Sequence, residues 1–461
     1  MPEQILDELL GLAGLVPSGS RARIEGRDPV YPTRFRMIDF GAAAIAASAL
    51  QAARLYEQRT GVAQEVVVRA DAAGPAMRSF RYNDTVPPTP PGPSRIPSAF
   101  YETRDGRWLF LHRAFAHHFE RELAVLGLRD GDDEDAIVRA IRARDAAELE
   151  AAVMAAGACA AVVRTKEEWA AHPQGSVVAG LPLFRITKIG ESEPIPAGTG
   201  GRPLGGLRVL DLTRVLAGPT NARTLAEHGA DVLRIVTPVH PDGGAMPRDT
   251  GHGKRSAVLD LRTGEGAGAM RRLVAGADVF SQGFRPGALA KLGFSPEEVA
   301  EVRPGIVSVA ISAFGSDGPW SGMRGFDSIV EAHDGTAHEE GIGTGRPKLV
   351  PASPLDYTSG YLAAFLVQVA LERRAREGGS YHIELSLAQT AHFLDGLGRV
   401  DAAAAAAAPA EIPAERLAEL MTERDTPYGR LRYLRPVAEL SVTPGEWTRP
   451  SVPLDHDRPE W

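Results

Sequence analysis

The chain has 461 residues, of which 44% are hydrophobic and 24% charged, a composition typical of globular proteins with a large core. Its formal net charge is -8, and the lack of a long basic stretch argues against a nucleic-acid partner. No apolar stretch approaches the ~20 residues of a membrane span. The acidic start MPEQILDELLGLAGL also lacks the pattern of a signal peptide, so we expect a soluble, cytoplasmic protein without membrane contact.

Cys159 is the one cysteine of the sequence, which excludes a disulfide framework and a zinc site with several thiolates. It lies within the apolar run from Ala155 to Val163, so we expect a small buried core residue rather than a nucleophile. The sequence contains no HExxH motif and no other histidine cluster with metal-ligand spacing. We therefore expect no metal site.

The first half of the chain predicts two units. Residues 1–85 contain a long apolar helix that begins near Met37 and is followed by a strand. Residues 86–100, VPPTPPGPSRIPSAF, form a proline-rich connection that excludes a helix or a central strand. The segment RWLFLH then predicts a strand, followed by helices around 114–126, 134–143 and 147–155. We interpret residues 86–200, including the flanking linkers, as a small α+β domain.

Residues 201–400 predict an α/β domain with a Rossmann-like, doubly wound and mostly parallel sheet. A helix is expected from Asn221 to His228 and another from Glu265 to Ala275. The predicted strands are Leu207–Leu212, Asp231–Val236, Ala257–Leu261, Asp278–Gln282 and Gly305–Ser312. Ligands bind beyond the carboxyl ends of such strands, so the loops after Leu212, Val236, Gln282 and Ser312 are candidate binding loops. The first of these loops lacks the GxGxxG motif, which argues against nicotinamide or flavin binding.

An internal repeat connects the two ends of the chain. MIDFGAAAIAASALQAARLYEQRTGVAQEVVV aligns without gaps with PLDYTSGYLAAFLVQVALERRAREGGSYHIEL, so that Asp39 falls on Asp356 and Gly61 on Gly378. Each copy predicts an aspartate, a long helix, a turn with glycine and a strand. Residues 401–461 follow as an alanine-rich spacer, Ala402 to Ala408, and a proline-rich, irregular tail from Tyr428 that we expect to pack on the large domain.

Asp356 is expected at the start of a helix, and two roles remain open for it. Aspartate is a favoured N-cap and needs no further role there. The same position suits catalysis, because the helix N-terminus keeps a carboxylate ionised and oriented. The following Thr-Ser-Gly allows a substrate to approach the backbone closely.

The motifs GGLRVLDLTRVLAGP, HGADVLRI, GKRSAVLDL, ADVFSQGFRPGALAKLGF, ISAFGSDGPW and the Asp-x-x-Ser-Gly helix start follow one another along the chain. In this order they resemble the class III CoA-transferases, the family of formyl-CoA transferase and the carnitine and bile-acid CoA-transferases. The domain order differs from the family's, because the small domain here precedes the large one. The chain therefore resembles a rearranged member with a partial internal duplication.

The resemblance implies an enzyme that moves CoA from an acyl-CoA to a small carboxylic acid through an aspartyl–CoA thioester. Asp356 matches the family's nucleophile, and Asp39 is the second candidate, although Gly-Ala-Ala replaces Thr-Ser-Gly after it. CoA is a substrate in this chemistry, and no permanently bound cofactor is expected. Members of the family are interlocked homodimers, so the resemblance also predicts a homodimer.

The same resemblance indicates residues that contact CoA. Gly283 stands where the family usually has an asparagine, so one side-chain hydrogen bond is missing. Lys254 and Arg255 suit the phosphates, although a solvated basic turn is an equal alternative. The complete set of predicted CoA contacts is Arg214, Val215, Leu216, Ala217, Lys254, Arg255, Phe284 and Arg285.

Two other functions remain open. Related α-methylacyl-CoA racemases use a histidine in a Gly-His-Asp motif, but Phe326 occupies that place here and cannot accept a proton. His333 and His338 lie nearby and are alternatives, although ordinary loop histidines are the simpler interpretation. The second possibility is a non-catalytic CoA-binding protein that arose when the duplication disrupted the fold.

Overall fold

The computed structural model describes residues 1–88, 96–239 and 245–461. The strands are β1 (Arg21–Glu25), β2 (Glu65–Arg69), β3 (Asp84–Thr85), β4 (Ala99–Glu102), β5 (Trp108–Leu111), β6 (Ala160–Val162), β7 (Phe184–Gly190), β8 (Arg208–Leu212), β9 (Asp231–Val236), β10 (Lys254–Val258), β11 (Val279–Gln282), β12 (Val307–Ser312), β13 (Ser380–Ser386), β14 (Met421–Thr426), β15 (Gly429–Leu434) and β16 (Glu439–Leu440).

The helices are α1 (Pro2–Leu12), α2 (Met37–Thr60), α3 (Ala70–Ala76), α4 (Ala116–Leu126), α5 (Glu134–Arg142), α6 (Ala146–Ala155), α7 (Lys166–Ala171), α8 (Pro173–Ala179), α9 (Ala217–Glu227), α10 (Ala245–Thr250), α11 (Gly264–Ala275), α12 (Pro296–Val302), α13 (Asp327–His333), α14 (Thr336–Glu340), α15 (Pro354–Glu377), α16 (Leu387–Gly396), α17 (Ala402–Ala407) and α18 (Ala414–Leu420). Short 3₁₀ helices lie at Ser79–Tyr82 and Ala290–Leu292. None of the helices in these ranges is long and apolar enough to cross a membrane.

A seven-stranded sheet forms the centre of the fold, in the order β10-β9-β8-β11-β12-β13-β7. Neighbouring strands from β10 to β13 are parallel, and β7 pairs with β13 in the antiparallel direction. Apolar side chains such as Val209, Val279 and Val307 are buried, as expected for strands covered on both faces. The predicted α/β class with a mostly parallel sheet is confirmed.

The predicted starts of one strand and one helix are wrong by three or more residues. Strand β10 begins at Lys254 rather than Ala257, because Lys254 pairs with Val232 and continues the ladder. Helix α9 begins at Ala217, before Asn221. Pro219 lies in the first turn of this helix, where its missing N–H would have no intrahelical acceptor, so the helix tolerates it.

A second sheet, in the order β4-β5-β6, lies beside helices α4, α5 and α6. These elements confirm the strand and the three helices predicted between residues 100 and 155. Helix α5 begins where the side chain of Asp133 accepts a hydrogen bond from Ala136 N at 2.8 Å. Part of the proline-rich connection, residues 89–95, lies outside the described residues. The apolar side chains of this unit form a separate core that includes Tyr101, Leu109, Leu111, Leu123, Ile137, Ile141, Leu149 and Val153.

The two copies of the repeat adopt the same local structure. Helices α2 and α15 each have 24 residues and end at Gly61 and Gly378, both with positive φ. Strand β2 pairs in parallel with β1 and antiparallel with β16, as β13 does with β12 and β7. Strand β7 follows the first copy in the chain but completes the sheet of the second, whereas β16 follows the second and completes the sheet of the first. The two copies therefore exchange strands within one chain.

The C-terminal region differs from the sequence prediction. The expected alanine spacer forms helix α17, because alanine has the highest helix propensity and Asp401 caps the first turn through Ala404 N at 3.0 Å. The tail contains the hairpin β14–β15 instead of being irregular throughout. It does pack on the large sheet, since His456 N donates to Ser256 O at 3.1 Å on the edge strand β10.

Candidate functional site

A cleft of about 250 Å³ opens at the carboxyl ends of β8, β11 and β12. These strands precede three of the four predicted binding loops; the loop after Val236 includes residues 240–244, which lie outside the described ranges. Residues just before and within α4 form the opposite wall. The lining residues are Phe115, His117, His118, Arg214, Val215, Ala217, Gly218, Gly283, Phe284, Arg285, Pro286, Ile311, Ser312, Ala313, Phe314, Ser321, Met323, Arg324, Gly325, Phe326, Asp356 and Leu387.

Asp356 lies at this cleft in the third position of α15 and is 6% exposed. The helix start is satisfied by a different carboxylate, because Asp327 Oδ2 accepts hydrogen bonds from Leu355 N at 2.9 Å and Asp356 N at 3.0 Å. Within the described residues, no group donates a hydrogen bond to the Asp356 carboxylate itself. Asp356 is therefore not the N-cap of its helix, and its side chain is available to a ligand.

The electrostatic surroundings of Asp356 oppose its ionisation. Burial and the neighbouring Asp327 raise the pKa of Asp356 well above its usual value. Burial also raises the pKa of Asp327, and burial together with Asp327 raises the pKa of Glu331 well above its usual value. The helix N-terminus was expected to keep Asp356 ionised, but burial and the neighbouring Asp327 carboxylate act in the opposite direction.

Asp39 occupies the corresponding third position of α2 but lies away from the cleft. Asp28 Oδ2 accepts from Ile38 N and Asp39 N, both at 2.8 Å, and so repeats the cap that Asp327 provides. The Asp39 carboxylate accepts from Asp28 N at 2.9 Å and from Arg36 Nη1 at 3.1 Å. The side chain is 0% exposed. In this copy the carboxylate is engaged by protein groups.

Five of the predicted CoA contacts line the cleft: Arg214, Val215, Ala217, Phe284 and Arg285. The Arg214 guanidinium lies 5.3 Å from the centre of the Phe115 ring and so connects the loop after β8 with the small-sheet unit. Val215 has a φ of 68°, a conformation that β-branched residues rarely adopt. Backbone strain of this kind clusters at functional sites, which agrees with the position of Val215 in the cleft wall.

The other three predicted contacts lie elsewhere. Leu216 is 2% exposed and packs in the core. Lys254 is 0% exposed, and its Nζ donates to Asp211 Oδ2 at 2.8 Å and to Pro219 O at 2.9 Å. Arg255 pairs with Asp231 at 3.0 Å and with the Glu460 carbonyl at 2.6 Å. These contacts correct the expected positions of Lys254 and Arg255, because both cations are engaged by the protein away from the cleft.

The histidines considered for proton abstraction also lie away from the cleft. His333 is buried against Trp320 and Arg164, and burial lowers its pKa well below the usual value. His338 is exposed on α14. Phe326 stacks on His112, with 4.0 Å between the ring centres. His118 does line the cleft, but burial lowers its pKa to about 3, which makes its imidazole a weak base.

Asp327, the cap of the Asp356 helix, was not predicted from the sequence. Gly-x-Asp precedes both aspartate helices, as Gly26-Arg27-Asp28 and as Gly325-Phe326-Asp327, so a search for shared motifs outside the aligned repeat would have found it. The cleft-lining residues Phe115, His118 and Arg324 were also missed, because their approach depends on tertiary packing.

Cys159 is buried as predicted, and burial raises its pKa to about 12. Among the described residues, no cluster of three or more His, Cys, Asp or Glu fits a metal ion.

Comparison with known proteins identifies the family. The model of CoA-transferase family III matches residues 9–182 and 204–419, so the chain belongs to this family. The division of the match into two segments is consistent with the partial duplication.

Several relatives match parts of the chain. An acyl-CoA transferase of Gibberella moniliformis is 31% identical over 63% of this chain and 55% of its own length. A succinate–glutarate CoA-transferase of Agrobacterium fabrum is 34% identical over 40% of this chain and 51% of its own. The crystal structure of a CAIB/BAIF family protein from Brucella suis is 31% identical and covers 43% of this chain and 56% of its own, with a TM-score of 0.40. The chain thus spans about half the length of these relatives.

Proposed function

We propose that this chain is a CoA-transferase that moves CoA from an acyl-CoA to a free carboxylic acid through a thioester on Asp356. One observation carries the proposal: the Asp356 carboxylate lies at a cleft, while Asp327 performs the capping role that would otherwise engage it. Membership of CoA-transferase family III supports the same chemistry. CoA enters as a substrate, and we propose no permanently bound cofactor.

The reaction proceeds in two matched halves. An Asp356 carboxylate oxygen attacks the thioester carbonyl, the C–S bond breaks, and a mixed anhydride and CoA thiolate result. The thiolate then attacks the aspartyl carbonyl, which releases the first acid and leaves the aspartyl–CoA thioester. An acceptor carboxylate reverses these steps, so that its acyl-CoA forms and Asp356 is free again. Covalent catalysis conserves the thioester energy, and no proton is gained or lost overall.

The cleft supplies groups for both parts of an acyl-CoA. Phe284 and Arg285 lie on the loop after β11, and Arg214 and Val215 on the loop after β8. We propose that these residues bind the CoA portion, with arginine guanidinium groups at the phosphates. The strand order, which runs outward from β8 in both directions, supports a Rossmann-like description of the large sheet.

The predicted homodimer stays a prediction. The exchange of β7 and β16 between the two repeat copies gives each copy an antiparallel strand from within the same chain. Neither of these sheets needs a second chain to supply that strand. Light scattering at concentrations where the protein is active measures the number of chains in the assembly.

The test of the proposed function is a transfer assay with acyl-CoA donors and a panel of free acids. Transfer with ping-pong kinetics is expected, since the first acid leaves before the second binds. Loss of an α-deuterium label without CoA exchange would instead identify a racemase or epimerase. Binding of CoA by the folded protein without transfer to any acid would identify a non-catalytic CoA-binding protein.

A further inference from the structure

The cleft contains an excess of positive charge. Arg214, Arg285 and Arg324 line it, whereas Asp356 is the one acidic side chain among its described lining residues. In the parts of the chain that the structure describes, neither Arg285 nor Arg324 has a hydrogen-bond acceptor or an acidic partner. The buried Arg113, in contrast, pairs with Glu122 at 2.8 Å. Arginines that have no acidic partner within the described residues, such as Arg285 and Arg324, can bind anions in a cleft.

Arg324 lies close to two other guanidinium groups, those of Arg285 and Arg121. A Cβ added at Gly157 would stand 3.6 Å from Arg324 Nη2 and 3.1 Å from Arg121 Nη1, so the two guanidinium groups flank the same glycine. Burial, Arg285 and Arg121 together lower the pKa of Arg324. An anion bound at Arg324 would reduce this repulsion between like charges.

A short segment connects Arg324 to Asp327, the residue that caps the helix of Asp356. Gly325 and Phe326 separate Arg324 from Asp327, which accepts the hydrogen bond from Asp356 N. Three residues span at most about 11 Å, so the backbone of Arg324 lies near the helix start that holds Asp356. Arg285 follows β11, on the loop that we propose for CoA. Because we assign Arg285 to CoA, Arg324 remains for the acid portion of the ligand.

We infer that Arg324 binds a second carboxylate on the transferred acid, which makes the preferred substrates dicarboxylic acids. The planar guanidinium offers two parallel N–H donors to a carboxylate. The inference rests on the proposed function and specifies the substrate class of the same cleft. Arg324 acts here as a specificity residue that holds the distal end of the acid while its proximal carboxylate reacts at Asp356.

The experiment compares succinate with butyrate as acceptor, since both have four carbon atoms and only succinate has a second carboxylate. With acetyl-CoA as donor, we expect wild type to favour succinate in kcat/KM by about 10- to 100-fold. Arg324→Gln is expected to abolish this preference, with the KM for acetyl-CoA and the rate with butyrate unchanged within about threefold. Arg324→Lys keeps the charge and should restore part of the preference.

Arg121→Gln is the matched control, because it removes a neighbouring guanidinium that does not line the cleft, and it should keep the preference for succinate. Thermal melting of each variant separates a loss of folding from a loss of specificity. A wild-type preference for butyrate overturns the inference. So does an Arg324→Gln variant in which the KM for acetyl-CoA rises equally with both acids, since Arg324 would then bind a CoA phosphate. In both cases transfer persists and the proposed function stands, whereas transfer to no acid at all refutes both.

Discussion

The two copies of the repeat share a scaffold but treat their aspartates differently. Asp39 and Asp356 occupy the same helical position, and each helix start is capped by an aspartate from a Gly-x-Asp motif. Burial and the charge of Asp39 raise the pKa of Asp28 to about 7, and burial also raises the pKa of Asp327. Backbone and capping electrostatics are therefore alike in the two copies.

The difference lies in what surrounds each carboxylate. Asp39 receives hydrogen bonds from Asp28 N and Arg36, whereas Ser353 stands at the position of Arg36 in the second copy. Asp356 instead opens to the cleft. The helical position alone therefore does not make a nucleophile; the carboxylate must also lack a permanent partner. The variants below test this difference between the engaged Asp39 carboxylate and the Asp356 carboxylate at the cleft.

The largest effect is expected from exchanging each aspartate for asparagine. Asp356→Asn should lower transfer by at least about 1000-fold, because the amide cannot form the thioester. Asp39→Asn should leave the rate within about threefold and lower the free energy of unfolding by about 1–3 kcal/mol, since a buried charge-assisted hydrogen bond is weakened. Transfer assays and urea unfolding of both variants check this, and a loss of transfer in folded Asp39→Asn would contradict it.

The next largest effect should come from transplanting the arginine. Ser353→Arg places at the start of α15 the residue that pairs with Asp39 in α2. We expect about 10- to 100-fold less transfer, because a guanidinium at Asp356 competes with the substrate for the carboxylate. Steady-state kinetics measures the effect, and Ser353→Gln is the uncharged control. Full activity in folded Ser353→Arg would show that a partner at this position does not distinguish the copies.

A smaller effect concerns the pH dependence of transfer. Asp356 reacts as a carboxylate and its pKa is raised, so kcat/KM should increase with pH through that pKa and then become constant. Asp327→Asn removes the neighbouring charge that favours the protonated form, so the rise should move to lower pH. Asp28→Asn makes the same change in the first copy and should leave the profile in place. An equal shift of the pH profile in both variants would contradict the assignment of the reacting carboxylate to Asp356.

The smallest effect is expected at Gly283, where the family resemblance places an asparagine. A Cβ at this position would lie 3.8 Å from both Ile311 O and Thr213 Cβ, so a side chain fits. Gly283→Asn should lower the KM for acyl-CoA by about 2- to 10-fold, the value of one added hydrogen bond. Gly283→Ala controls for the loss of backbone freedom, and an equal change in both variants would exclude a role for the amide.

Much of the fold was predictable from the sequence, because it depends on local patterns. Apolar runs predict the parallel strands, and the three helices after β5 follow from their periodicity. The repeat could be aligned because both helices keep an aspartate and a terminal glycine. The exchange of β7 and β16 could not be foreseen, since strand pairing over more than a hundred residues leaves no local signal.

The candidate site was predictable only in part. The loops after β8 and β11 reach the cleft because the carboxyl ends of parallel strands meet at one edge. Lys254 was expected to contact the CoA phosphates from a position just before a strand, but its side chain forms a buried pair with Asp211. Whether a cation is free or paired depends on residues distant in sequence. Arg324 illustrates the opposite case, since only the folded chain shows that it has no partner among the described residues.

The central claim is that Asp356, and not Asp39, carries CoA. Incubation with an acyl-CoA, treatment with hydroxylamine and peptide mass spectrometry test it most directly, because hydroxylamine converts an aspartyl thioester into a stable hydroxamate. A hydroxamate is expected on the peptide that contains Asp356, both in wild type and in Asp39→Asn. A hydroxamate on the Asp39 peptide, or transfer activity without any modified aspartate, would contradict it.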